Sequence, residues 1–233
     1  MKKSSLWLVV VALFVVAVIL LVLKLSWHNN PEKASSDLGS EAKAESFAPS
    51  SLPELSAEEK VSGSVKASVK VIVYEDYSNI FSADNAENLN KLSQEFDKKV
   101  VFAFRPFASR EKTFSLESAM AVECALEQDK WEEMRAGIFK ATKEDNLNSD
   151  KINELAQQLE LDIAKFSQCL TDVQKQGIIL QVAQDAKRFS VYGAPTIFIN
   201  DELIVGARPY DDYTDDLGQK VEGLKNLVAR KIQ

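Results

Sequence analysis

The chain has 233 residues, of which 45% are hydrophobic, with 28 basic and 35 acidic residues. Three of the lysines and none of the acids lie in the first 24 positions, so the remainder carries 25 basic and 35 acidic side chains, a net charge of −10. A domain of this charge repels phosphate backbones. We therefore expect no nucleic-acid partner.

The N-terminus has an unbroken apolar run from Leu6 to Leu23, preceded by two lysines. As a helix, a run of this length just spans a hydrocarbon core of ~30 Å. Because basic flanks stay cytoplasmic, we predict a cytoplasmic N-terminus (1–5), a single-pass transmembrane anchor (6–27) and an extracytoplasmic domain. The alternative is a cleaved signal peptide, but the run is long and no small-residue cleavage site follows it closely.

Residues 28–62 are mostly Ser, Ala, Glu, Lys and Pro, which predicts a flexible stalk without a core. The remaining residues, 63–233, are enough for one domain. The single histidine, His28, borders the apolar run and has no neighbouring cysteine or acidic cluster, so we interpret it as an interfacial polar residue. Without a second histidine or a glycine-rich phosphate loop, we expect neither a metal nor a cofactor.

The first elements of the domain are predicted in the order strand, helix, strand. Val69–Tyr74 is β-branched and apolar, which indicates a buried strand. Apolar residues recur at helical spacing over Ala83–Phe96, and Val100–Phe104 forms the second strand. This order requires a crossover connection and a parallel pair of strands.

A helical section and a second sheet segment follow. Helical patterns cover Phe114–Lys140, Ile152–Leu159, Ile163–Leu170 and Gln174–Phe189, then two short strands after residue 195 and a last helix over Tyr213–Lys231. Four aspartates begin that last helix: Asp211, Asp212, Asp215 and Asp216. We interpret them as favourable charge at a helix N-terminus, since they lack the spacing of a calcium loop.

The corner Gly193-Ala194-Pro195-Thr196 runs directly into an apolar strand. A proline at this place, after a glycine, indicates a fixed turn, and X–Pro bonds are the ones that admit the cis form. With the segments 71–77, 102–107, 121–131 and 206–210, this corner resembles the DsbA-like branch of the thioredoxin superfamily over 63–233. The resemblance implies a cis bond before Pro195 and an α/β thioredoxin fold (βαβ…ββα) with a helical insertion at about 112–189.

In that family a Cys-x-x-Cys motif begins the helix after the first strand. The helix N-terminus lowers the pKa of the first cysteine, whose thiolate attacks a substrate disulfide, and the second thiol resolves the intermediate. The resemblance places Asn79-Ile80-Phe81-Ser82 at this motif. Asn79 has no nucleophile and Ser82 cannot form a disulfide, so we predict no catalytic residue there.

Two interpretations of the serines stay open. Ser82 can cap the helix by accepting hydrogen bonds from N–H groups two or three residues on. Alternatively, Ser78 or Ser82 could activate a small thiol, as a serine does in DsbA-related glutathione transferases. In those enzymes a proline follows the serine. Ile80 of this chain is not a proline, so the segment departs from their pattern.

The only cysteines, Cys124 and Cys169, both lie in the helical patterns. An even number in an oxidising compartment favours a structural bridge. Two buried free thiols are the second interpretation. A relocated redox pair is the third, although both positions are in the middle of helices and far apart in sequence.

The leading functional hypothesis follows from the resemblance. In thioredoxin folds the backbone before the cis-proline pairs with an extended substrate as an added strand. The expected substrate-binding residues are Tyr77, Ile80, Phe81, Ala194 and Pro195, with Tyr192 beside them. We expect a membrane-tethered, redox-inactive chaperone, assembly factor or docking module for an extended polypeptide or envelope protein. The alternatives are a thiol–disulfide oxidoreductase working through Cys124 and Cys169, and a purely structural envelope protein.

Overall fold

The computed structural model describes residues 51–56, 59–96 and 98–232. The predicted cytoplasmic N-terminus, the anchor and most of the stalk lie outside these residues. Within the described ranges, no helix is both long enough and apolar enough to cross a membrane.

The described residues form a five-stranded sheet in the order β1-β3-β2-β4-β5. The strands β2 and β3 are parallel, and the other neighbours are antiparallel. The strand bounds are β1 Val61–Gly63, β2 Val69–Glu75, β3 Val100–Pro106, β4 Thr196–Ile199 and β5 Glu202–Val205.

Helices cover the sheet and form the insertion. Their bounds are α1 Ile80–Glu95, α2 Ser115–Leu126, α3 Trp131–Lys143, α4 Ser149–Gln158, α5 Ile163–Leu170, α6 Val173–Asp185 and α7 Leu224–Lys231, with a 3₁₀ turn at Ala186–Phe189. A hairpin of β6 (Tyr213–Thr214) and β7 (Lys220–Val221) precedes α7. The predicted order, βαβ, then helices, then ββα, is confirmed.

Several described residues before position 63 contact the rest of the domain. Residues 51–56, 59 and 60, here called the strap, lie against the domain, and β1 pairs with β3. Glu59 forms an ion pair with Arg105, and Lys60 with Glu123. Leu55 packs against a buried cluster on one face of the sheet. The polar composition concealed these contacts, because ion pairs and one leucine hold the strap.

Two predicted helices have different bounds. The pattern over Phe114–Lys140 is two helices, α2 and α3, separated where Asp129 adopts a left-handed φ of 58°. The last helix begins at Leu224, because residues 213–221 form the hairpin. Asp212 still lies at its N-terminus, where its carboxylate accepts from the Gly223 N–H at 2.8 Å.

A disulfide joins Cys124 of α2 to Cys169 of α5, with the Cα atoms 5.7 Å apart. Both cysteines are buried. The predicted bridge is therefore confirmed, and it ties together two helices of the insertion. In the chain-entropy account, closing a loop of this length stabilises the fold by ~4 kcal/mol.

Candidate functional site

The residues that we aligned with the missing motif, 79–82, lie at the connection from β2 to α1 and in its first turn. Asn79 is the residue that caps α1, because its Oδ1 accepts from the N–H groups of Phe81 (2.9 Å) and Ser82 (3.1 Å). Ser82 lies inside the first turn and is fully buried, with its Oγ accepting from the Asp76 N–H at 3.3 Å. The interpretation of Ser82 as the cap is wrong, because the helix begins three residues earlier than the apolar pattern indicated.

Asp76 is a buried acid that the sequence analysis did not assign to the site. Its Oδ1 accepts from the N–H (3.1 Å) and the O–H (2.8 Å) of Ser78. Lys112 places its Nζ 3.4 Å from Oδ2. Because the Ser78 hydroxyl already donates to this carboxylate, that proton is not available to activate a thiol. The sequence Asp-Tyr-Ser before a helix could have predicted this contact, since an Asp side chain often accepts from the backbone N–H two residues on.

Large apolar side chains are exposed at the start of α1 and in the loop before Pro195. Ile80 is 42% exposed and Phe81 62% exposed. Tyr192, in the loop before Pro195, is 73% exposed. Side chains of this size at the surface lose unfavourable contact with water when a partner covers them.

Tyr77 does not border this surface, contrary to our expectation. It is buried, with its ring edge-on to Phe139 and the ring centroids 5.5 Å apart. Its carbonyl accepts from the Thr142 hydroxyl at 2.8 Å. Both contacts come from α3, so packing against the insertion turns Tyr77 away from the surface.

The peptide bond between Ala194 and Pro195 is cis, as predicted. Tyr74 lies opposite Thr196 in the antiparallel pairing of β2 with β4. The residues before Thr196 therefore run beside those that lead from Tyr74 to Asn79. Among the described residues, no hydrogen bond uses the backbone N–H or C=O of Ala194. The loop thus offers an unpaired backbone edge beyond the last pair of the β2–β4 ladder.

A buried ion pair lies at the end of β2. Arg135 of α3 donates to Glu75 through Nε (2.8 Å) and Nη2 (2.5 Å). The guanidinium also lies over the rings of Phe104 and Phe139, at 4.1 and 4.9 Å from their centroids. Burial acts to lower the pKa of Arg135, but the charge and hydrogen bonds of Glu75 hold it above its ordinary value. This ion pair joins the last residue of β2 to α3 of the insertion.

Tyr77 gives a stability prediction. Its hydroxyl is buried and has no hydrogen-bond partner among the described residues. Burial, followed by the charge of Glu75, raises the pKa of Tyr77 well above its ordinary value, so the proton stays on the oxygen. Removing an unpaired buried hydroxyl removes its desolvation cost, so Tyr77→Phe should raise the free energy of unfolding by about 1 kcal/mol in urea titrations.

The matched control is Tyr74→Phe. Tyr74 is equally buried, but its hydroxyl accepts from Arg105 Nη1 at 2.8 Å. Its removal should lower the free energy of unfolding by about 1 kcal/mol, because Arg105 loses an acceptor. Equal effects of the two substitutions would contradict this account of Tyr77.

The disulfide belongs to the same buried hydrophobic cluster as Tyr77 and Ala83. Both cysteines belong to the insertion and are buried, and Cys169 lines a shallow pocket beside α5 and α6. In the described part of the chain, no group of three His, Cys, Asp or Glu side chains could hold a metal ion. The start of α1 offers apolar surface and carries no cysteine.

Comparison with known proteins identifies similar folds. The family model described as Thioredoxin matches residues 56–217. The thiol-disulfide exchange protein α-DsbA2 of Wolbachia pipientis is 20% identical, with 75% of this chain and 85% of that chain covered and a TM-score of 0.58. No protein of curated function matches the sequence significantly.

Two further solved structures show the same fold. Oxidised BdbD of Bacillus subtilis is 18% identical, with 75% of this chain and 92% of that chain covered and a TM-score of 0.61. A periplasmic thioredoxin-like protein of Salmonella enterica serovar Typhimurium is also 18% identical, with 75% and 90% covered and a TM-score of 0.58.

Proposed function

Because this chain belongs to the thioredoxin family and has the DsbA-like form of its fold, we propose that it binds extended polypeptides without exchanging disulfides. The observation that carries this proposal is the start of α1. Asn79 and Ser82 occupy the motif positions, one as a helix cap and the other as a buried serine. Neither side chain can form the mixed disulfide on which exchange depends.

The peptide-binding part of the site supports the proposal. The unpaired backbone of Ala194 can add a substrate segment as a strand. The exposed side chains of Ile80, Phe81 and Tyr192 flank that edge and can cover apolar residues of the bound segment. This combination suits a chaperone, an assembly factor or a docking module.

The same proposal places the domain outside the cytoplasm and tethered to the membrane. One similar structure is described as periplasmic, and the Cys124–Cys169 bridge suits an oxidising compartment. The apolar run Leu6–Leu23 supplies the anchor. Fractionation with protease protection tests this part: a soluble product that has lost its first 44 residues would contradict the anchor.

Binding can be measured with S-carboxymethylated α-lactalbumin, an unfolded chain without free thiols. We expect saturable binding that Phe81→Ser with Tyr192→Ser weakens by about tenfold, because each substitution removes apolar contact area. Val65→Ser is the control, since Val65 is exposed but precedes β2, at the opposite end of that strand. Equal losses in the control and the double variant would argue against this binding site.

Insulin reduction separates the proposal from the oxidoreductase alternative. We expect the natural chain to give no rate above the dithiothreitol background. If it does reduce insulin and Cys124→Ser abolishes the activity, the oxidoreductase that uses Cys124 and Cys169 is the correct function.

A further inference from the structure

A cavity of about 770 Å³ lies between the strap and α6. Its volume falls in the range of about 300–1,000 Å³ that is usual for small-molecule sites. None of the residues 76–82 or 192–195 lines it, so it is separate from the polypeptide-binding site proposed above. Its walls come from the strap, β3, α2 and α6.

One part of the cavity is apolar. Leu126 of α2 and Ile179 and Val182 of α6 line it. Ile178 of α6 and Leu52 of the strap also border it, and they are 66% and 42% exposed. Two large, exposed aliphatic side chains from separate elements therefore meet at one cavity. A ligand that covered both would remove apolar surface from water.

The strap side of the cavity is polar, and two ion pairs lie there. Arg105 pairs with Glu59 and donates to the Tyr74 hydroxyl (2.8 Å) and the Glu54 carbonyl (2.5 Å). Lys60 is buried against Glu123. These contacts hold the strap in place. The carboxylate and carbonyl oxygens that take part in them still have lone pairs that can accept a hydrogen bond from a ligand.

The wall as a whole carries no net charge. Four basic residues line it, Lys60, Arg105, Lys175 and Arg188, and four acidic residues, Glu54, Glu59, Glu123 and Asp185. At the strap side, a charged head group would have to separate one of these two ion pairs or lose its own hydration without compensation. The wall therefore favours a ligand without formal charge.

We propose that this cavity binds an uncharged amphiphile. The apolar chain of the ligand lies along α6 against Ile178 and Val182. Its neutral head, a hydroxyl or an ester, hydrogen-bonds at the strap side near Glu59 and Arg105.

The test uses the full-length chain in lipid nanodiscs and a fatty alcohol that carries a photoactivatable diazirine in its chain. Mass spectrometry of the irradiated protein should find label on α6 around Ile178–Val182 and on the strap. Excess decanol should compete for this label. Decanoate and decyltrimethylammonium should compete about tenfold less well, because each brings a charge to the strap side, where Glu59 and Lys60 are already paired.

Two variants of α6 locate the site. Ile178→Asp should reduce the label on α6 about tenfold, since it puts a charge into the apolar wall. Val173→Asp is the matched control: Val173 is 74% exposed on the same helix but does not line the cavity, and its substitution should leave the label unchanged. If Ile178→Asp loses its circular dichroism signal, Leu52→Asp takes its place.

Three outcomes would overturn the proposal. The first is an absence of label on α6 and the strap. The second is equal competition by decanol and the charged amphiphiles. The third is label that Phe81→Ser removes but Ile178→Asp leaves intact, which would place the amphiphile at the start of α1.

Discussion

Replacing Asn79 and Ser82 together by cysteine is expected to create a disulfide at the start of α1 and a weak dithiol activity. The two positions lie three residues apart across the first turn, and Asn79 already directs its side chain at the N–H groups of Phe81 and Ser82. A thiolate at position 79 would face the same donors, which lower its pKa. Position 82 is buried in the first turn of the helix. A cysteine there would be the resolving thiol, which releases the substrate by forming the disulfide with position 79.

Nearby acids limit the activity that this variant can gain. Asp84 and Glu87 lie in the early part of α1, and carboxylates raise the pKa of a thiol. Lys143 pairs with both, at 3.0 and 2.5 Å, and partly offsets them. Adding Asp84→Asn and Glu87→Gln should therefore strengthen the activity, because the positive charge of Lys143 would remain.

A glutathione redox titration measures the introduced pair, with Cys124 and Cys169 kept oxidised. Insulin reduction should rise at least about tenfold above the natural chain, which lacks a thiol at these positions. The single variants Asn79→Cys and Ser82→Cys are controls and should give no such gain. If the two thiols of the double variant never pair, the assignment of the missing motif to residues 79–82 is wrong.

Arg135→Met is expected to destabilise the domain by about 3–5 kcal/mol. The substitution leaves the Glu75 carboxylate buried without a counter-charge, and it also removes the guanidinium from the rings of Phe104 and Phe139. Urea unfolding should show a lower midpoint with an unchanged slope. Adding Glu75→Met should recover much of the loss, because it removes the unpaired charge.

Arg230→Met is the matched control for this prediction. Like Arg135, Arg230 is paired with a glutamate. Its Nη2 lies 2.7 and 2.5 Å from the two carboxylate oxygens of Glu202, and this pair is exposed to solvent. An exposed pair contributes about 0–1 kcal/mol. A loss at Arg135 no larger than at Arg230 would show that the buried pair does not hold the sheet to the insertion.

The chemistry of the site suggests why Asn79 suits a domain without thiols. A side-chain oxygen at an N-cap stabilises a helix by about 1 kcal/mol relative to alanine. Asn79 supplies such a cap at the place where a reactive thiolate would otherwise meet the same N–H groups. The natural residue thus stabilises α1, and the double cysteine variant should lose that part of its stability.

Local patterns in the sequence determined most of the framework. The β-branched runs at 69–74 and 100–104 predicted β2 and β3, since a buried strand needs such side chains throughout its length. The Gly-Ala-Pro-Thr corner, together with the family resemblance, predicted the cis bond at Pro195. The two cysteines left a single possible pairing, and the absence of thiols at 79 and 82 follows from the sequence alone. The anchor at residues 6–27 is still a prediction.

Only the tertiary structure decided what meets at the site. Tyr77 was expected at the surface, but packing against Phe139 of α3 buries it. Glu75 and Arg135 are 60 residues apart, and no local period relates them. The strap contacts Arg105 and Glu123 through ion pairs that a polar composition does not reveal. Periodicity reports which face of one element is buried, whereas the partner of a buried charge depends on how distant elements pack.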